Sequence, residues 1–147
     1  MHARLYAEEH GLGPGFESYQ LEQLGRFLAG YDPGRDAVLS AADDRGLMAS
    51  LVVDGAPHPE GSAALRIRWV LLAPRARGLG LGSRLMDRAI AFIDDAGCAS
   101  WLSTFAGLDT ARGLYERRGF RLSEEIESAA WDRPLVMQRF DRPQMPC

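Results

Sequence analysis

The stretch Val70-Leu71-Leu72-Ala73-Pro74-Arg75-Ala76-Arg77-Gly78-Leu79-Gly80-Leu81-Gly82 has the residue types of an anion cradle. An apolar strand runs into a proline, two arginines and three alternating glycines follow, and then a long amphipathic segment begins. Glycine, having no Cβ, lets a backbone turn tightly and come close to a ligand. A helix start leaves several N–H groups unpaired and carries the positive end of the helix dipole. With the charge of Arg77 beside it, such a start suits a phosphate-bearing ligand. The expected contacts are Arg77, Gly78, Leu79, Gly80, Leu81, Gly82 and Ser83. The plain alternative is a glycine-rich turn between a strand and a helix, with no ligand.

Two familiar phosphate loops are excluded. A P-loop requires Gly-x-x-x-x-Gly-Lys-Ser/Thr, and no lysine stands in this segment. A dinucleotide fingerprint requires a glycine where Ser83 stands, and an acidic residue after the next strand to hold a ribose. What the segment satisfies is Arg-x-x-Gly-x-Gly, at Arg77, Gly80 and Gly82, preceded by Leu72-Ala73-Pro74. That pattern resembles the pyrophosphate-binding motif of the GNAT superfamily, the acyl-CoA-dependent N-acetyltransferases. Downstream, Ala111-Arg112-Gly113-Leu114-Tyr115-Glu116-Arg117-Arg118-Gly119-Phe120 resembles the A-x-x-L-Y-x-x-x-G-F segment of the same superfamily. Three further stretches, Tyr31-Asp32-Pro33-Gly34-Arg35, Ile67-Arg68-Trp69 and Trp131-Asp132-Arg133-Pro134-Leu135, resemble the acetyltransferase half of proteins that fuse a MarR-type regulator to a GNAT domain. No MarR-type half is recognisable in this sequence.

The resemblance implies acetyl-CoA, or another short acyl-CoA, as acyl donor. It implies that the backbone of Leu71 and Leu72 pairs with the pantetheine amides and orients the thioester carbonyl. It also implies that Tyr115 donates a proton to the departing sulfur. A phenol of pKa about 10 stays protonated at neutral pH and suits that task. Tyr115 equally fits a core aromatic, since it shares the apolar helix face with Ala111. Many members carry an asparagine three residues before the motif alanine; here that position is Leu108, and its neighbour Asp109 is placed to cap a helix. No general base stands out: the strand before the cradle carries no carboxylate, His58 is in a loop, and Glu124 and Glu125 read as solvent-facing.

Arg66 and Arg68 are the odd residues on that strand. They share one parity and so one face. Charges on a strand otherwise apolar must be paired or face a cavity. One reading is a salt bridge to a neighbouring element. The other is recognition of an anion on the acceptor, with Arg68 and Trp131 as contacts and Trp69, Trp101 and Phe105 lining the same cleft.

The elements that must position these groups follow from periodicity. Residues 15–30 read as a helix, with Phe16, Tyr19, Leu24, Phe27 and Leu28 near one face. Strands are expected over 37–41 and 47–53, joined by a hairpin, and a long one over 63–72. A helix runs from Leu81 to a stop at Gly97, a short strand covers 99–103, and a helix begins near Asp109 and ends by Gly119. Strands follow from Phe120 and over 135–140, and 141–147 reads as a frayed tail. The fold class is α/β, a mixed sheet flanked by helices, in one domain of 147 residues. The resemblance adds that the sheet splays at its centre.

Hydrophobic content of 46%, charged content of 25% and a net charge of −3 describe an ordinary globular chain, with no electrostatic footprint for nucleic acid or an anionic membrane. The first ten residues lack the apolar core of a signal peptide, and no run is long enough to span a bilayer. Cys98 and Cys147 form no metal spacing, and Cys98 is expected to be a small buried hydrophobe. The expected compartment is the cytoplasm, with no metal. The expected activity is transfer of an acetyl group to a primary amine of a small molecule, one that carries an anionic group if the arginine reading holds. Two alternatives stay open: a non-catalytic acyl-CoA-binding sensor and a protein or peptide N-acetyltransferase. Related proteins are often homodimers.

Overall fold

The computed structural model describes residues 14–56, 64–107, 109–128 and 135–143. The element order is α1 (Pro14–Ala29), β1 (Ala37–Asp43), β2 (Gly46–Asp54), β3 (Leu65–Leu72), a 3-10 turn (Pro74–Ala76), α2 (Leu81–Ala96), β4 (Ser100–Phe105), α3 (Asp109–Glu116), β5 (Arg121–Ser128) and β6 (Leu135–Arg142). Six strands form one mixed sheet in the order β1-β2-β3-β4-β6-β5, parallel only at β3–β4. The α/β class and nearly every expected element are present. His58, Leu108 and Trp131 lie outside the described residues.

α2 covers one face of the sheet. Its Leu85, Met86, Ala89 and Ile93 recur at helical spacing and pack in one core with Leu51 and Val53 of β2, Leu65 and Ile67 of β3, and Phe120 and Phe140. Gly97 ends the helix in a left-handed conformation, as expected of its position.

Several expectations need correcting. Tyr19 and Leu28 on α1 are exposed and Phe27 is buried, so the buried face is narrower than the apolar pattern suggests; the side chain of Phe16 lies outside what the structure describes. Asp141 and Arg142, read from sequence as the start of the tail, belong to β6, and Arg142 donates to the Arg118 carbonyl and to Asp94. Cys98 is buried as expected, but its sulfur is in a disulfide, which the lack of a recognisable cysteine spacing did not signal. Among the described residues, no helix is long and apolar enough to cross a membrane.

The turn between α1 and β1 is held by a buried carboxylate. Asp36 accepts hydrogen bonds from the N–H groups of Asp32 (2.9 Å) and Gly55 (2.7 Å), tying the start of β1 to the end of β2. Both donors would be stranded without it. Asp36→Ala is therefore expected to lower unfolding free energy by roughly 1.5–3 kcal/mol, read from urea denaturation. A loss under 0.5 kcal/mol would show that the turn holds without it.

Candidate active site

β3 and β4 pair only at Leu65↔Ser100 and Arg66↔Trp101. Beyond those pairs the strands part, so that the sheet is split in a V that opens toward the C-terminal ends of both. On its other side β3 stays paired with β2. That pairing contains a bulge: Val52 opposes Arg68 and Ser50 opposes Leu71, leaving Trp69 and Val70 against Leu51 alone. Trp69 sits at φ +52°, a left-handed conformation that is strained for a bulky residue and is held here by its surroundings. Its indole N–H donates to Gln20 at 2.6 Å, its ring meets Phe27 edge-on at 5.8 Å, and the Arg68 guanidinium lies 4.1 Å from its centroid. α1 is thereby latched onto β3.

The V encloses a cavity of about 170 Å³. β3 contributes Arg66, Arg68, Trp69 and Val70; β4 contributes Ser103, Thr104 and Phe105; α1 contributes Tyr19 and Gln20; and Tyr115 and Met137 complete it. Sequence reasoning missed Gln20, Thr104 and Met137, whose only signal is that they flank the split in the folded chain. No carboxylate or histidine lines the cavity among the described residues. Glu124 and Glu125 are exposed, as expected.

Tyr115 belongs to both worlds that its sequence position allowed. It is 5% exposed, packs against Phe120 and Phe140 at centroid distances of 6.3 and 6.4 Å, and reaches the cavity wall. Arg68 is committed elsewhere. Its guanidinium pairs with Asp54 at 3.0 Å, with both side chains largely buried, and also meets Gln23 at 3.4 Å. The salt-bridge reading holds for Arg68, and the acceptor-anion role expected for it is withdrawn, because the fork already has its carboxylate.

The glycine loop follows β3 directly and so lies at the open end of the V. Gly78 and Gly80 have φ of +82° and +74°, and nothing stands within 4 Å of a Cβ built on either. Conformation, not space, requires glycine there. Gly82 differs. It is helical, its φ is not left-handed, and an added Cβ would meet only Leu114 Cδ2 at 3.8 Å, an ordinary contact. Nothing in the fold requires glycine at 82. α2 has no side-chain cap and no acidic residue in its first turn, so the N–H groups of Leu81, Gly82 and Ser83 keep their positive field uncompensated. Arg77 and Leu79 are exposed at the same loop.

Two arginines brace this loop without reaching into it. Arg118 donates to Asp87 (2.9 Å), to the Leu114 carbonyl (3.0 Å) and to the Ser83 carbonyl (3.3 Å), joining α3 to the first turn of α2. Arg75 donates to Asp43 and to the Gly46 carbonyl, both at 3.0 Å, pinning the 3-10 turn to the β1–β2 hairpin. The Arg75 bond, then the Arg45 N–H, holds the Asp43 carboxyl below its ordinary value.

A profile of the acetyltransferase (GNAT) family matches residues 4–120. The chain belongs to the GNAT family. No curated protein matches it in sequence. Among solved structures, an acyl-CoA N-acyltransferase from Pseudomonas aeruginosa is 27% identical with a TM-score of 0.57, covering 74% of this chain and 68% of that one. A candidate phosphinothricin N-acetyltransferase is 18% identical with a TM-score of 0.69, over 84% of this chain and 80% of that one. The ribosomal-protein-alanine N-acetyltransferase of Brucella melitensis is 18% identical with a TM-score of 0.68, over 83% and 77%. At 18% identity the last two likenesses speak to the fold alone.

The residues present fit a CoA pyrophosphate: an uncapped helix start with no acid in its first turn, and a glycine there that the fold does not need. Gly82→Ala separates fold from ligand. Stability of the free protein should be unchanged or raised by up to about 1 kcal/mol, since alanine is the better helix former. Acetyl-CoA affinity, measured by calorimetry, should fall at least tenfold. Unchanged affinity would remove Gly82 from the binding surface.

Proposed function

We propose that this GNAT-family chain is an acyl-CoA-dependent N-acetyltransferase that moves an acetyl group from acetyl-CoA to a primary amine of a small molecule. The observation that carries the reading is the split between β3 and β4, with the glycine loop and α2 N-terminus at its mouth and a tyrosine on its wall. Beyond Arg66 the described residues of β3 no longer pair with β4, and an amide-bearing arm suits an edge that parts from its neighbour in this way. Leu71 and Leu72 are the backbone positions assigned to it. The pyrophosphate is assigned to Gly78, Leu79, Gly80, Leu81, Gly82 and Ser83, with Arg77 supplying charge. Acetyl-CoA supplies the acyl group as a thioester.

The chemistry asks little more of the protein. The neutral amine attacks the thioester carbonyl carbon, the C–S bond breaks, and the sulfur takes a proton. Tyr115 is the donor proposed, and backbone N–H groups near Leu72 are assigned to stabilise charge on the carbonyl oxygen. Among the described residues no carboxylate or histidine lines the cavity, and the proton that the nitrogen loses after attack is assigned to water, from which Tyr115 regains the one it gives. The cavity's size, about 170 Å³, favours a small acceptor over a folded protein surface.

Tyr115→Phe tests the reading. Turnover should fall roughly 10²–10⁴-fold, with acetyl-CoA affinity little changed because one oxygen is removed. CoA thiol release across amino acids, polyamines, aminoglycosides and peptides supplies the assay. Unchanged turnover in the Phe variant, with chemistry rate-limiting, would return Tyr115 to the core. Tight acetyl-CoA binding with no thiol release for any amine would make the chain a sensor.

A further inference from the structure

Three guanidinium groups gather about Trp101 and the neighbouring stretch of β3, two of them, Arg66 and Arg68, on the lining of the V. Arg66 lies 4.4 Å from the centroid of the Trp101 ring, and Arg139 lies 4.2 Å from the same centroid. Arg68 stands two residues along β3. Arg68 has the Asp54 carboxylate, and Arg139 has Asp141 at 3.1 Å. Arg66 has neither ion pair nor hydrogen bond among the described residues, and its Nε is buried without a partner. Desolvation, then the charge of Arg68, lowers its pKa to about 10, so it remains a cation at neutral pH. Asp54 and Tyr19 attract it from a distance, but a largely desolvated cation with no ion pair of its own is costly to hold. Stacking on Trp101 returns part of that cost but satisfies none of the five N–H groups.

We infer that Arg66 is the receptor for an anionic group, a carboxylate or phosphonate, on the acceptor amine; the inference rests on the acetyltransferase reading above. Arg66 lines the same cavity as Tyr115, and no carboxylate on the wall competes for it. Geometry also sets the acceptor's length. Arg66 is held against Trp101 where the strands still pair, whereas the acyl arm assigned to Leu71 and Leu72 puts the reacting nitrogen toward the far end of β3. The four steps of β3 from Arg66 to Val70 span about 13 Å at roughly 3.3 Å each, less the shortening of the bulge. An anion adjacent to the amine cannot reach both ends. The acceptor class is therefore an amine whose anionic group is several bonds from the nitrogen.

The experiment compares 6-aminohexanoate, 6-aminohexylphosphonate, 6-aminohexanol, 1,6-diaminohexane and glycine. Acetylation is followed by thiol release, and binding by calorimetry in the presence of CoA. The two long anionic amines should exceed the alcohol, the diamine and glycine by tenfold or more in kcat/KM, and their ratio says which anion the site prefers. Arg66→Gln should erase that preference, lowering kcat/KM for 6-aminohexanoate roughly 30-fold or more, while KM for acetyl-CoA stays put. Arg66→Lys should restore part of it. Removing an unpaired charge should not lower the melting temperature. If the alcohol or diamine matches 6-aminohexanoate, or if Arg66→Gln binds 6-aminohexanoate as the parent does, the inference is overturned. Arg66-dependent binding of 6-aminohexanoate without acetylation of any amine would uphold the anion site and sink the acetyltransferase reading.

Discussion

The parallel hydrogen bonding of β3 and β4 stops after Arg66↔Trp101, and the rest of the structure is arranged around that break. Two neighbouring central strands ordinarily satisfy each other's N–H and C=O groups along their length, because unpaired backbone inside a protein is expensive. Here the bulge at Trp69 and Val70 bends β3 while its other edge stays bonded to β2. Where the strands part, the chain leaves a gap between them that a continuous sheet would not have.

Holding such a break open requires walls. α1 supplies one, fastened by Gln20 and Phe27 to the strained Trp69 and by Gln23 to Arg68. The strain of a left-handed tryptophan persists because its indole is fixed at the N–H, at the edge and at the face simultaneously. α3 supplies another, with Tyr115 packed against the Phe120 and Phe140 rings that lock its position. That packing leaves the Tyr115 ring little freedom where it meets the cavity.

Charge is distributed by the same economy. The loop before α2 is braced by arginines from outside, Arg75 to the hairpin and Arg118 to the first turn, and no acidic side chain enters that turn to quench the helix field. Arg66 and Arg68 both line the V; Arg68 is paired with Asp54, which does not line it, and Arg66 has no ion pair among the described residues. Both ends of the split are thus positive, one by backbone dipoles and one by a guanidinium.

Local chemistry was enough to determine much of this. The period of Leu85, Ala89 and Ile93, the stop at Gly97, the hairpin before Gly46 and the unusual glycine spacing after Pro74 each act over a few residues, so they were legible in the sequence. The shared face of Arg66 and Arg68 was legible too, because strand parity is a local rule. Which arginine is spent and which is available was not, since Asp54 reaches Arg68 through the pairing of β2 with β3. Nor could periodicity show where β3 and β4 part, or that α1 would turn Gln20 toward an indole 49 positions away. Strand β6 ran past its expected end because Arg142 finds the Arg118 carbonyl and Asp94, partners distant in sequence. Turns, caps and periods are set by neighbours along the chain. The split, its latch and the pairing of Arg68 rather than Arg66 with Asp54 depend on contacts between distant segments, and only the tertiary structure decides those.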